Sequence, residues 1–350
     1  MLEITNLTKY YGDHLAVEDL SFSIEEGDFA TLLGPSGCGK STTLRTIAGL
    51  IEPTEGTITL RGEDVTNLPP DQRNIGMVFQ SSALFPHMTV KENLAYGLKM
   101  HGLDDEVDTR VSEYLDLVEM SGYEDHKTTE LSGGQQRRVS IARALAYEPD
   151  ILLLDEPLTG LDRVLREQIR NEIKQIQREI NVTTLFVTHD QQEALSLSNQ
   201  IIVLNNGQKE QEGTPESLYE HPKNRFVAEF VGKSSRFTGQ PDDTKPSVIQ
   251  NGSLTFAVDP ESIPDTSPNT DGADVTLYVR PEDVVIDTSS TFQNEFDATV
   301  SHIADVGSHS EIELELEDGT PVLVEAERFP DLSVGEQTTV GFDPEDVIVL

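Results

Sequence analysis

Gly34-Pro35-Ser36-Gly37-Cys38-Gly39-Lys40-Ser41 is the stretch on which the fold turns. A short apolar run, Phe29 to Leu33, leads into it, and a helical stretch reaching Leu50 leads away. Glycines at 34, 37 and 39 let backbone N–H groups converge on phosphate oxygens, and the N-terminus of the following helix adds a partial positive charge. In such a loop Pro35, Ser36, Cys38 and Thr42 complete the cradle. Lys40 reaches the outer phosphates, and the Ser41 hydroxyl ligates Mg2+. Cys38 is read here as a small residue that fits a tight loop rather than as a reactive thiol.

Outward from the loop, strand-like and helix-like segments alternate, the mark of an α/β layer structure. Ile151 to Leu154 is wholly apolar, as a strand buried on both faces of a parallel sheet must be. From Arg163, apolar residues at 165, 169, 173, 176 and 180 form one helical stripe. Thr183–Thr188 and Ile201–Leu204 return to strand chemistry. Between residues 82 and 147 the pattern is mostly helical (Val90–Met100, Glu106–Met120, Gln135–Ala146), which predicts a helical subdomain inside the α/β domain.

The chemistry-bearing residues fall at strand and helix ends. Asp155 ends an apolar strand, where a carboxylate is costly unless it faces a cation or a donor. It is placed to hold the magnesium shell, and Glu156 next to it to polarise an attacking water as general base. Gln80 ends the run Ile75–Phe79 and could touch the metal or that water. His189 caps the strand TTLFVTH within reach of a γ-phosphate. Leu131-Ser132-Gly133-Gly134-Gln135 opens another helix with an anion-ready N-terminus. One nucleotide does not need two such sites in one subunit, so a head-to-tail homodimer is expected, each ATP capped by Ser132 to Gln135 of the other copy. Tyr11 is expected to stack on adenine, with Tyr10 a competitor and a core role open for either. Asp162 is expected to monitor the opposite subunit.

Charge narrows the setting. The 350 residues carry 25 Lys+Arg against 63 Asp+Glu, a formal net charge of −38. Up to Ser235 there are 21 basic and 38 acidic residues, and beyond it 4 and 25. The excess runs through strands and turns alike, so it reads as a solvated surface that repels itself in dilute buffer. At ~1 M salt the Debye length falls to about 3 Å and that repulsion is screened. This is the expectation for a salt-loving cytoplasm, and it disfavours nonspecific nucleic-acid binding. One cysteine forbids an internal disulfide. No run approaches the ~18 apolar residues of a membrane span, and the first residues do not read as a secretion signal. Any membrane role is therefore expected to come through a partner.

The tone changes near Gly232, and the predicted domains are 1–235 and 236–350. Residues 239–273 are rich in Pro, Asp, Ser, Thr and Gly, with two short strand-like interruptions. Beyond them come short β segments. Ile312, Leu314 and Leu316 alternate with glutamates before an Asp318-Gly319 hairpin turn. Arg280-Pro-Glu-Asp-Val-Val-Ile is echoed by Asp343-Pro-Glu-Asp-Val-Ile-Val, which suggests two similar turn-to-strand corners in one small barrel.

These motifs resemble, over essentially the whole chain, the ATP-binding subunits of ABC importers. The resemblance is most specific from Tyr11 to His189. It implies a P-loop ABC cassette with a helical subdomain, hydrolysis of ATP with Mg2+, and a homodimer that opens and closes with the nucleotide. It also implies docking of the helical subdomain, through Ser81–Asn93, onto two membrane permeases at the cytoplasmic face, served by an extracytoplasmic solute-binding protein. Val279–Val284, VRPEDV, resembles the OB-like transport-associated domain of importers for sugars, polyamines, ferric iron and oxyanions. One position departs from that group's pattern: Thr159 stands where Ser is usual, and the hydroxyl is kept. ALFPHMTVKENLAYGLKM is nearest to ferric-iron and polyamine importers, ahead of sugar and oxyanion ones. An ABC ATPase working on nucleic acid or ribosomes would usually carry two cassettes or a long coiled insert, and this chain has neither. An exporter would lack the OB-like tail, and a non-hydrolysing scaffold would not need the full set Lys40, Asp155, Glu156 and His189.

Overall fold

The computed structural model describes residues 1–242, 245–260, 274–286, 292–327 and 332–350, which divide into two units, Met1–Pro215 and Glu216–Leu350. Two sheets organise the first. β1 (Leu2–Tyr11), β2 (His14–Ile24), β4 (Glu55–Leu60) and β5 (Glu63–Asp64) form an antiparallel sheet in the order β2-β1-β4-β5. In β1, Leu2 and Ile4 are buried while Glu3 and Thr5 face solvent, the alternation of a half-buried strand.

β3 (Phe29–Leu33), β6 (Ile75–Val78), β7 (Ile151–Asp155), β8 (Thr183–Thr188), β9 (Gln200–Asn205) and β10 (Gln208–Gly213) form the central sheet. Its order is β10-β9-β3-β8-β7-β6, and every pairing is parallel except that of the edge strand β10. β3, β7 and β8 are buried at every residue, as strands covered on both faces must be. The period of two is visible within β7. Ile151 and Leu153 join the core shared with the antiparallel sheet and α1 (Lys40–Ile47), while Leu152 and Leu154 join the opposite one.

That opposite core holds the helical insert: α2 (Val90–Met100), α3 (Val107–Leu117) and α4 (Gly133–Leu145). It also takes in the stripe of α5 (Arg163–Ile180), with Ile169, Ile173 and Ile176 buried and Leu165 and Ile180 packed at its margins. α4 starts two residues before the Gln135 expected from sequence. Ser132 and Gln135 form a reciprocal capping box, which admits both glycines into the first turn. α3 is shorter at both ends than Glu106–Met120, and β6 stops one residue short of Phe79. α6 (Gln191–Leu197) completes the unit, and among the described residues no helix is long and apolar enough to cross a membrane.

The second unit opens with α7 (Pro215–Glu220) and α8 (Arg225–Val231), ahead of the predicted boundary after Ser235. The reason is Arg280. This buried guanidinium donates to the carbonyls of Tyr219, Ala228 and Lys233 and to Ser234 Oγ, and it lies 4.0 Å from the centre of the Tyr219 ring. Both helices are thereby gathered into the C-terminal unit. β11 (Ser235–Asp242), β12 (Lys245–Asn251), β13 (Leu254–Ala257), β14 (Val275–Val279) and β20 (Val347–Val349) make one sheet, in the order β13-β12-β11-β14-β20. β15 (Val285–Ile286), β16 (Asn294–Asp305), β17 (Ser310–Leu316), β18 (Pro321–Ala326) and β19 (Gln337–Phe342) make the other, in the order β15-β19-β16-β17-β18. A single apolar core containing Phe237, Phe256, Val300, Ile312 and Phe342 joins the two.

Residues 239–257, read as a polar tract with short strand-like interruptions, hold most of a three-stranded meander, because Ile249, Leu254 and Phe256 are its inward-facing residues. Residues 261–273 of that reading lie outside the described residues. Asp318-Gly319 does turn β17 into β18, with Gly319 at φ +84. Both copies of the echoed phrase are turn-to-strand corners, entering β15 and β20.

Candidate functional site

In a parallel sheet the loops at the C-terminal strand ends gather on one edge, where ligands bind. β3, β8, β7 and β6 are consecutive neighbours, so that edge collects Gly34–Ser41 after β3, His189 after β8, Asp155–Glu156 at the end of β7 and Gln80 after β6. Residues up to about 150 positions apart in sequence thus meet because of strand order alone.

A cavity of ≈ 260 Å³ lies on this edge, lined by Tyr11, His14, Ala16, Ser36, Gly37, Gly39, Lys40, Ser41, Thr42 and Glu156. The loop's shape has local causes. Gly37 and Gly39 sit at φ +84 and +105, a region that L side chains rarely adopt. Gly34 is tight for another reason: a Cβ there would stand 2.3 Å from the Leu204 carbonyl oxygen and 2.6 Å from Cys38 Sγ. Lys40 is buried, and its ammonium donates to the carbonyls of Gly34 (2.6 Å) and Pro35 (2.8 Å). Gly34 and Pro35 therefore frame the lysine rather than line the cavity. Cys38 is packed beneath the loop, and burial pushes its thiol pKa up despite the nearby Lys40. That thiol is protonated and inert, a packing residue as its context suggested.

Beside the cavity, Ser41 Oγ donates to Asp155 Oδ1 at 3.0 Å, and Arg45 Nη2 lies 3.6 Å from Asp155 Oδ2. Asp155 is buried, so these two contacts compensate its charge. A hydroxyl and a carboxylate side by side are the hard oxygen donors that suit Mg2+, which takes few protein ligands and completes its shell with phosphate and water. Gln80 and Asp155 share the adjoining cleft of ≈ 480 Å³ with Arg45 and Thr159.

Glu156 is the meeting point. Gln80 Nε2 donates to its Oε2 at 3.3 Å and Thr159 Oγ1 to the same oxygen at 3.2 Å, while His189 Nδ1 stands 3.5 Å from Oε1. The Glu156 backbone is left-handed, with φ +44, and its N–H donates to the Val187 carbonyl of β8. A non-glycine residue held this way is strained, and such strain is maintained where a side chain must be aimed. The carboxylate is thus oriented by three neighbours and faces the same cavity as Lys40.

Ser132, Gly133, Gly134 and Gln135 do not line this cavity. Ser132 Oγ accepts from the Gln135 N–H, Gln135 Oε1 accepts from the Ser132 N–H, and Gly133 and Gly134 form the first turn of α4. A Cβ on Gly134 would meet Leu165 of α5 at 2.9 Å, so the two helix starts lie against one another. Asp162 is the N-cap of α5, its carboxylate accepting the Leu165 N–H. Tyr11 and Tyr10 are both exposed, which removes the core alternative, and Tyr11 alone lines the cavity.

Three contributors were not foreseen. Arg45 follows Ser41 by four residues on α1, so its side lay readable in the helical period. His14 reaches the cavity from the β1–β2 hairpin, which no local signal marks. Arg137, on α4, is buried and donates to main-chain carbonyls more than fifty positions away, a purely tertiary relation.

Comparison with known proteins agrees with this geometry. A family described as "ABC transporter" matches residues 17–159, and one described as "TOBE domain" matches 277–350. A spermidine/putrescine import ATP-binding protein of Rubrobacter xylanophilus is 42% identical over 100% of this chain and 93% of its own. An Fe(3+) ions import ATP-binding protein of Brucella abortus is 41% identical over 99% of this chain and 96% of its own. Among solved structures, a dimeric ATP-binding cassette in a post-hydrolysis state with ADP and Pi superposes with TM-score 0.54 at 36% identity, over 61% of this chain and 99% of that one. Part of an ABC transporter complex from Clostridium perfringens gives TM-score 0.58 at 29% identity, covering 62% and 89%. Since relatives of this degree of identity run the length of the chain, from the phosphate loop through the TOBE tail, it belongs to the ABC transporter family, as an ATPase subunit of the import type.

Proposed function

We propose that ATP binds between Tyr11 and the 34–42 loop and is hydrolysed there once a second copy of the chain closes over it. One observation carries this reading. Four neighbouring strand ends bring Lys40, Ser41, Gln80, Asp155, Glu156 and His189 to one edge, while the anion-ready start of α4 stays out of that cavity. A helix N-terminus with nothing to bind in its own subunit is what a head-to-tail partner would use.

In the proposed mechanism the Tyr11 ring stacks on adenine and loop N–H groups grip the phosphates. Lys40 exchanges its two carbonyl acceptors for the β- and γ-phosphate oxygens. Ser41, Asp155 and Gln80 would hold Mg2+, which would supply positive charge to offset the negative charge of the phosphates. Glu156 accepts a proton as water attacks the γ-phosphorus and the bond to ADP breaks. Gln80 Nε2 and Thr159 Oγ1 hold that carboxylate in place, and His189 turns toward the γ-phosphate. Ser132–Gln135 of the partner copy cap the γ-phosphate, and Asp162 lies at the seam between copies.

Hydrolysis would drive import through two permease subunits at the cytoplasmic face of the membrane, fed by an external binding protein. Tyr96 and Met100 are exposed on α2, with Phe85 packed on Tyr96 at 4.9 Å, and these apolar rings support docking at the segment after Gln80. The printed substrates of the relatives, polyamines and Fe(3+), favour one of these as cargo. The charge of −38 supports work in concentrated salt. Glu156→Gln keeps the side-chain shape and removes the base, so it should accumulate as an ATP-bound dimer. Size-exclusion chromatography with and without ATP reads this, and an oligomeric state indifferent to ATP would refute the sandwich. Purified from native membranes with ATP, the same variant should bring down two permeases and a solute-binding protein.

A further inference from the structure

Helix α4 begins at the Ser132 cap, and one of its faces grips the main chain that carries Gln80. Arg137 donates from Nη1 to the Phe79 carbonyl and from Nη2 to the Gln80 carbonyl, each at 2.6 Å. Further along, Ser140 Oγ donates to the Ser82 carbonyl at 2.8 Å and Arg143 Nη1 to the Ala83 carbonyl at 2.9 Å. Residues 137, 140 and 143 follow one another at helical spacing, so four carbonyls within a five-residue segment are bound to a single helix face. Arg137 is buried, only 4% exposed. Among the described residues no carboxylate pairs with it. An isolated buried guanidinium is expensive, and here its charge is spent on two neutral carbonyls.

A planar guanidinium donating through two nitrogens fixes orientation as well as distance, which an ammonium cannot do. The Gln80 side chain itself donates from Nε2 to Glu156 Oε2 at 3.3 Å. We propose that Arg137 is the positioning residue for Gln80: it ties the Gln80 main chain to the helix that carries Ser132–Gln135, so that engagement of that helix by the partner's ATP sets where Gln80 meets Glu156. This rests on the reading of Gln80 and Glu156 given above. The start of α4 and the hydrolytic carboxylate are thereby joined by one side chain, and hydrolysis waits on closure of the dimer.

The test is a double-mutant cycle on the full-length chain, with kcat and KM for ATP measured for Arg137→Ala, Gln80→Ala and the pair. Arg137→Ala alone should lower kcat about tenfold while KM stays within about twofold, because only placement of the reacting groups is lost. In the Gln80→Ala background the same change should cost less than about twofold, since residues acting through one another are not additive. Arg137→Lys should recover part of the loss. If the two losses multiply, or if Arg137→Ala keeps the wild-type kcat, the proposal is overturned while the site reading stands. If Gln80→Ala itself turns over normally, the role of Gln80 falls and the proposal falls with it. Should Arg137→Ala fail to fold, Arg137→Gln retains a donor and most of the volume and runs the same cycle.

Discussion

Gly34→Ala tests whether the loop's geometry, rather than its residue types alone, makes the nucleotide site. The added Cβ would lie 2.3 Å from the Leu204 carbonyl oxygen and 2.6 Å from Cys38 Sγ. Ordinary contact begins at 3.4 Å, so one group or the other must move about 1 Å. Leu204 cannot be the one that yields. Its carbonyl belongs to β9, whose pairing with β3 runs through Val203 and Leu33. The displacement therefore falls on the loop, which carries Lys40 and Ser41 away from the phosphates. Overpacking of this kind costs about 1–3 kcal/mol of stability, and a misplacement of about 1 Å at reacting groups costs about 10²-fold in rate. Steady-state ATPase, equilibrium ATP titration and a thermal melt separate the two effects. Cys38→Ala clears the sulfur contact but leaves the Leu204 oxygen, so Gly34→Ala/Cys38→Ala should remain inactive. Turnover of Gly34→Ala within about threefold of wild type, far short of the loss such a misplacement implies, would refute the reasoning, as would rescue by Cys38→Ala.

The remaining predictions concern charge. Asp283 has its carboxyl pushed up to about 6, first by burial and then by Asp346, Glu282 and Glu220, with Arg280 opposing. A carboxyl whose pKa is higher folded than unfolded binds its proton more tightly when folded, so its contribution to stability falls as pH rises from about 4 to 6 and is level above. Asp283→Asn should therefore stabilise the protein by about 1 kcal/mol at pH 7.5, after discounting for the group's partial exposure, and by nothing at pH 4. A gain of equal size at both pH values, by denaturant titration, would refute it. Folding and ATPase activity should both rise toward molar KCl as the Debye length shrinks to about 3 Å. Full stability and activity at about 10 mM salt, where the screening length is near 30 Å, would remove the salt-adapted reading.

What was legible in the sequence was what is written locally. The phosphate loop and the apolar strand ending in Asp155 each depend on residues a few positions apart and stand where local pattern put them, and the helix after Ser132 is there too, begun two residues earlier than its apolar pattern suggested. Convergence was not legible in the same way. That Gln80 and His189 both touch Glu156 follows from the strand order β3-β8-β7-β6, which no single segment encodes. Arg137 was invisible for the same reason, since its partners are defined by how α4 packs after β6. In the tail, the polar composition left only short strand-like interruptions visible where burial of Ile249, Leu254 and Phe256 makes a meander, and the second unit begins before residue 235 because one arginine gathers two helices.

Cys38 is the chain's only cysteine and lies sealed under the loop at 3% exposure, its thiol held protonated by burial. The wild-type protein is therefore already a labelling background. A cysteine introduced at Met100, which is 68% exposed on α2, would be the only thiol open to a maleimide dye. One fluorophore on each copy of a dimer would then report the separation of the two helical subdomains, and how it changes with ATP, without first stripping the phosphate loop of a residue it packs around.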